Sequence, residues 1–70
     1  MTVTAPVSGV IDRLYVGYGY SVQPGDVIMT IRSVKTYVDV RAGYSGYISS
    51  LGSPGESVNA SDVVAVISSS

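Results

Sequence analysis

Two stretches of this chain repeat one pattern, and that duplication constrains the fold more than any local propensity. Ala5, Ser8, Gly9, Ile11 and Leu14 recur 37 positions later as Ala42, Ser45, Gly46, Ile48 and Leu51. Gly19, Ser21, Val22, Asp26, Val27 and Ile31 recur 36 positions later as Gly55, Ser57, Val58, Asp62, Val63 and Ile67. A one-residue deletion in the second copy accounts for the change of offset. The copies span about residues 5–31 and 42–67. Two copies are too few for a solenoid, which needs about three. The pattern therefore predicts a duplication folded on itself about a pseudo-two-fold axis. The only lysine, Lys35, sits at the joint between the copies.

The composition narrows what such a fold can do. The 70 residues form a single domain, and a chain of this size buries only about 60% of its unfolded surface. Cysteine is absent, so neither a disulfide nor thiol chemistry is available. Histidine is absent too, which removes the usual general base and the usual metal ligand. No catalytic residue and no metal site are assigned. The net charge is -1, so a nucleic acid would meet no broadly basic surface to displace its counterions. No apolar run approaches the roughly 20 residues of a membrane span. The first residues lack the basic and apolar regions of a signal peptide, and the expected location is cytoplasmic. Ser68-Ser69-Ser70 reads as a frayed tail or a linker stub.

Helical periodicity is missing. Gly and Pro clusters instead break a chain rich in β-branched residues every eight to twelve positions or so, the pattern of an all-β domain. Strands are expected near 3–5, 9–16, 27–32, 37–40, 46–51 and 63–67, with short pairings around Val22 and Val58. Pro24-Gly25-Asp26 reads as a turn, with Pro fixing φ at one central position and Gly supplying φ > 0 at the next. The equivalent Ala60-Ser61-Asp62 lacks both residues, so a different turn type is expected there. Alternation places Val38 and Val40 toward a core, with Tyr37 and Asp39 facing out. It also separates Val27, Met29 and Ile31 from Ile28, Thr30 and Arg32. The expected core is Val10, Leu14, Val22, Val27, Ile31, Val38, Val40, Ile48, Val58, Val64 and Val66. Each such side chain contributes roughly 1.5–3 kcal/mol when buried.

The segment from Arg32 to Thr36 is then a tight connection between strands, with Lys35 at or beside its tip. Six tyrosines mark the chain. Tyr18 and Tyr20 lie in a loop and are the best partner-contact candidates. Tyr37, Tyr44 and Tyr47 are expected on strand faces, where cross-strand packing explains them. Asp26 and Asp62 occupy equivalent positions, and their hydrogen bonds to turn backbone explain them better than a catalytic pair does. Gly17-Tyr18-Gly19 lacks the strand-to-helix context of a phosphate loop.

These residues resemble the biotinyl/lipoyl attachment domain family over nearly the whole chain, residues 5–67. Ala5-Pro6-Val7-Ser8-Gly9-Val10-Ile11 is similar to the A-P-x-x-G-x-[IV] opening of biotinyl domains. The segment from Gly19 to Ile28 resembles the family's G-x-x-V-x-x-G-[DQ]-x-[IL]. Ser33-Val34-Lys35-Thr36 falls where the family carries its modified lysine, and Lys35-Thr36-Tyr37-Val38-Asp39-Val40 resembles the K-[AT]-x-V-x-V of lipoyl domains. Ser45-Gly46-Tyr47-Ile48 and Gly55-Glu56-Ser57-Val58 match the second half. The resemblance implies an all-β flattened barrel or sandwich of two antiparallel sheets. It also implies a swinging-arm carrier with no catalysis of its own, bearing a group on Lys35. Ser33, Val34, Thr36 and Arg32 would meet a lipoate or biotin protein ligase. The parent multienzyme or carboxylase components would be the further partners. Ser-Val-Lys-Thr leans toward lipoate, while the Ala5-Pro6 opening leans toward biotin.

The sequence departs from the family at Arg32, where a Glu is common three residues before the lysine. It also departs at Val34 and Thr36, which replace the usual Asp or Met neighbours. These departures keep a second reading open, an unmodified structural or protein-binding module on the same barrel. The segments between Gly9 and Gly19 and between Gly46 and Gly55 are short for the thumb of some biotinyl domains.

Overall fold

The structure, a computed structural model, describes residues 1–69. Eight strands follow in order: β1 (Thr2–Thr4), β2 (Gly9–Leu14), β3 (Ser21–Val22), β4 (Val27–Arg32), β5 (Tyr37–Arg41), β6 (Gly46–Leu51), β7 (Ser57–Val58) and β8 (Val63–Ser68). They form two antiparallel four-stranded sheets, ordered β1-β8-β6-β3 and β5-β4-β2-β7. The expected strands and both short pairings are present. Ser68 is a correction: it pairs with Tyr47 as the last residue of β8 and is not part of a frayed tail. Ser70 lies outside the described residues.

The duplication is the symmetry of the fold. Adding 36 or 37 to a residue number converts β2, β3 and β4 into β6, β7 and β8, and β1 into β5. One sheet order thereby becomes the other. Each sheet mixes strands from both copies, so the two copies share one core. The hydrogen bonds outside the ladders repeat as well. Gly19 N–H donates to the Ile48 carbonyl at 2.8 Å, and Gly55 N–H donates to the Ile11 carbonyl at 2.7 Å. Tyr15 N–H donates to the Ile28 carbonyl, and Gly52 N–H to that of Val64, both at 2.9 Å.

The core is symmetric residue by residue. All fourteen buried hydrophobic residues fall into seven equivalent pairs: Val3/Val40, Ala5/Ala42, Ile11/Ile48, Val22/Val58, Ile28/Val64, Met29/Ala65 and Ile31/Ile67. Val10, Leu14, Val27, Val38 and Val66, expected in the core, are only half-buried. The cause is register. Ile11 opposes Ile31 on the inner side, so Val10 and its partner Arg32 face outward. Bulges between Ile11 and Arg13 and between Val27 and Met29 break the strict alternation. Ile28, expected on the face opposite Met29, is therefore fully buried beside it. Thr30 does face outward but is buried, with its hydroxyl donating to the Tyr15 hydroxyl at 3.2 Å.

The turn expected to differ between the copies does not. In 23–26 the Asp26 N–H donates to the Gln23 carbonyl, and Gln23 N–H donates to Asp26 Oδ2 at 2.9 Å. In 59–62 the Asp62 N–H donates to the Asn59 carbonyl, and Asn59 N–H donates to Asp62 Oδ2 at 2.8 Å. Gly25 has φ +94°, and Ser61 is held at φ +76° in the same role. The aspartate bonds and the following strand impose the turn on a residue that disfavours it. Both carboxylates accept a backbone N–H of their own turn, the role the sequence favours for them.

Candidate functional site

Lys35 lies on the hairpin joining β4 to β5. Arg32 and Tyr37 are the last cross-strand pair of that ladder. Beyond them Ser33 N–H donates to the Thr36 carbonyl at 2.8 Å, and Ser33 Oγ donates to the same oxygen at 3.0 Å. Val34 and Lys35 are left as the two central residues. Neither has positive φ, so the turn is not the primed kind that Asn-Gly pairs form, and ordinary side chains fit it without strain. Val34 is fully exposed, and Lys35 and Thr36 are exposed. Among the described residues the one ion pair joins Arg41 to Asp39 at 3.6 Å, which leaves the Lys35 amine unpaired. The tip is thus a lysine held by a short backbone clasp at the end of a packed ladder.

The β4 strand that delivers this tip is anchored from below. Ile28, Met29 and Ile31 are fully buried, and β4 is bonded on both sides, by β2 and by β5. At its end Gly9 lies against the Arg32 carbonyl so closely that a side chain there would collide with it. The two-fold equivalent of the hairpin is the place where Met1 meets β8, with Ile67 N–H donating to the Met1 carbonyl at 2.7 Å. β1 leads from there to Gly9 beside Arg32, so the two features occupy opposite ends of a molecule measuring 36 × 19 × 18 Å.

Of the residues singled out by sequence, Arg32, Ser33, Val34, Lys35 and Thr36 are brought together. Tyr18 and Tyr20 are not. Their loop leads into β3, which pairs with Gly46 and Tyr47, and the Tyr18 hydroxyl donates to the Leu51 carbonyl at 3.2 Å. They lie against β6 of the other sheet, at 70% and 57% exposure. Cross-strand aromatic packing does not explain the tyrosines either. All six are exposed, Tyr37 opposes Arg32, and Tyr47 opposes Ser21 and Ser68. Tyr44 lies in the loop before β6 and not on a strand face. Sequence reasoning placed Tyr37 outward but did not pair it with Arg32 next to the hairpin. The two-residue loop length carried that signal, since it fixes which residues oppose one another.

A family model described as "Biotin-requiring enzyme" matches residues 13–67, a span that includes Lys35. No curated protein sequence matches the chain. Among solved structures, the urea carboxylase of Kluyveromyces lactis is similar with a TM-score of 0.90 at 29% identity, over 97% of this chain and 6% of that one. A single-chain, multi-domain long-chain acyl-CoA carboxylase is similar with a TM-score of 0.88 at 15% identity, over 100% of this chain and 7% of that one. The ectoine utilization protein EutE (DoeB) of Ruegeria pomeroyi is similar with a TM-score of 0.83 at 24% identity, over 99% of this chain and 22% of that one. The chain spans less than a quarter of the length of each of these proteins, and the last two likenesses concern the fold alone. The duplicated two-sheet barrel, the lysine hairpin between its halves and the match over residues 13–67 lead to one assignment: the chain belongs to the biotin/lipoyl attachment family of carrier domains.

Proposed function

We propose that Lys35 is the attachment point of biotin and that the domain works as a swinging-arm carrier. The observation that carries the reading is the sole lysine, unpaired and exposed at the tip of a two-residue hairpin within the family-matched segment. A ligase supplies an activated acyl adenylate. Lys35 Nζ attacks its carbonyl and loses a proton, AMP departs, and an amide bond forms. The domain contributes geometry, a tip held by the Ser33–Thr36 clasp and the buried part of β4. Biotin, when attached, carries a carboxyl group between active sites. The domain performs no chemistry of its own in this reading. Its partners are a biotin protein ligase and the carboxylase components it serves, in the cytoplasm.

Biotin replaces the lean toward lipoate drawn from Ser-Val-Lys-Thr. The family description names biotin, and the structural neighbour at 29% identity is a urea carboxylase. The carrier reading is tested by intact mass after co-expression with a biotin ligase and, separately, a lipoate ligase. A single biotinyl addition mapped to Lys35 is expected. An unmodified mass under both conditions, beside a fully labelled control domain, would sink it.

A second reading, an unmodified structural or protein-binding module, is favoured by Arg32. An exposed guanidinium stands where the family commonly offers a carboxylate to its ligase. Charge reversal at a rim alters encounter rates and suppresses wrong partners. The likeness to an ectoine utilization protein fits a barrel that serves several activities.

A further inference from the structure

The two sheets are equivalent halves of one duplication, yet their outer faces differ in charge. On the sheet that carries Lys35, cross-strand partners place Val10, Arg32 and Tyr37 in one outward row and Arg13, Thr30 and Asp39 in the next. Arg41 extends the same face through its ion pair with Asp39. Tyr15 extends it through its bond with Thr30, and the Arg13 guanidinium lies over the Tyr15 ring, 5.2 Å from its centre. On the other sheet every charge of this set is replaced by a hydroxyl. Asp12, Arg13, Arg32, Asp39 and Arg41 correspond to Ser49, Ser50, Ser68, Thr2 and Thr4.

All four cationic side chains, Arg13, Arg32, Lys35 and Arg41, therefore gather on one sheet and its hairpin. That sheet's strands also hold Asp12 and Asp39, and Asp26 and Glu56 border it in the turns before β4 and β7, so the cations are not in net excess over the whole side. The row of Val10, Arg32 and Tyr37 beside Lys35 is where they stand without a carboxylate. Asp26, Glu56 and Asp62 each accept a backbone N–H of their own turn. Among the described residues Arg13 and Arg32 have no ion-pair partner, and Asp39 is already engaged by Arg41.

We propose that this outer face, centred on Arg32 and Tyr37, docks an acidic protein surface beside the point where the Lys35 arm must enter. The identity of the partner, the enzyme served by Lys35, rests on the carrier reading. The charge argument does not. Exposed guanidinium groups next to tyrosine rings are the combination that protein interfaces favour. A guanidinium also engages carboxylates through two parallel hydrogen bonds. An oppositely charged patch orients the approaching partner before contact. A nucleic acid fits less well. Its binding rests on cations that neutralise successive phosphates, and this face mixes its four cations with Asp12 and Asp39.

The test is an amide-shift titration of the folded protein with poly-L-glutamate, with poly-L-lysine and a single-stranded oligodeoxynucleotide as parallel probes. Poly-L-glutamate should shift the amides of Arg13, Thr30, Arg32 and Tyr37, and the shifts should shrink as salt is raised. An Arg13→Gln/Arg32→Gln variant, shown by its melting curve to be folded, should bind roughly fivefold more weakly. Shifts spread evenly over both sheets, or none at all, would overturn the proposal. Tighter binding of the oligonucleotide at the same face would replace it with nucleic-acid recognition. Failure of Lys35 labelling with localised shifts intact would remove only the carrier reading, leaving a docking face on an unmodified module. Successful labelling without localised shifts would remove only the docking face.

Discussion

The two sheets of this domain share strand order, bulges and turn hydrogen bonds, but they diverge on their outer faces and at their ends. One ends in the Lys35 hairpin and carries every lysine and arginine; the other ends where Met1 meets Ile67 and has no charged side chain on its strands. Inside, the seven buried pairs are matched. The contrast shows where each kind of constraint acts. The inner residues of both sheets fill one shared space at close-packed density, so a change in one copy strains the other. Outward residues face no such demand and are free to specialise. The duplication supplies a symmetric scaffold, and the proposed attachment lysine sits where the symmetry is broken.

The largest effect expected from perturbing this comparison is at the end that is not duplicated. Lys35→Arg should abolish biotinylation while leaving the melting curve unchanged, and intact mass with a thermal scan checks both. Next comes the shared core. Ile11→Ala and Ile48→Ala should each cost about 2–5 kcal/mol in urea unfolding, and near-equal losses are expected. A large difference would show that one half dominates stability. Gly9→Ala and Gly46→Ala would press a methyl group against the carbonyls of Arg32 and Ser68. Each should cost roughly 1–3 kcal/mol, with Gly46 the worse because its φ is also +156°. A tolerant Gly9→Ala would show that the lysine strand can shift.

Smaller effects sharpen the contrast between the turns and between the surfaces. Ser61→Gly should stabilise by up to about 1 kcal/mol by relieving the left-handed backbone, and Gly25→Ser should destabilise by a similar amount. If neither moves the unfolding midpoint, the two turns do not carry the load assigned to them. Arg32→Glu, measured as the initial rate of biotinylation, should raise that rate a few-fold if the cation hinders the ligase. An unchanged rate would remove that argument.

Much of this was legible in the chain. The repeat predicted the symmetry, and the Gly and Pro breaks predicted the strands, because turn chemistry is local. The Ser33–Thr36 tip followed from the same spacing. Core membership was less legible. Val10 and Ile11 are adjacent and similar in hydropathy, and only the pairing of Ile11 with Ile31 decides which one is buried. Ile28 is buried because a bulge interrupts alternation there, and no residue type in Val27-Ile28-Met29 announces a bulge. The Ala60-Ser61 turn misled for the opposite reason. Its local sequence argues for a different turn, and the Asp62 side chain with the bond from Ser61 N–H to the Ala5 carbonyl overrides it.

That the chain is a folded duplication with one lysine between its halves could be read from its residues, since periodicity and turn residues act over a few neighbouring positions. Which side of each strand is inside could not. That choice depends on cross-strand register and bulges, set by partners far away in the chain. The same register gathers Arg13, Arg32 and Arg41, scattered over twenty-eight positions, onto the one face that adjoins Lys35. Their hydroxyl-bearing counterparts line the other sheet.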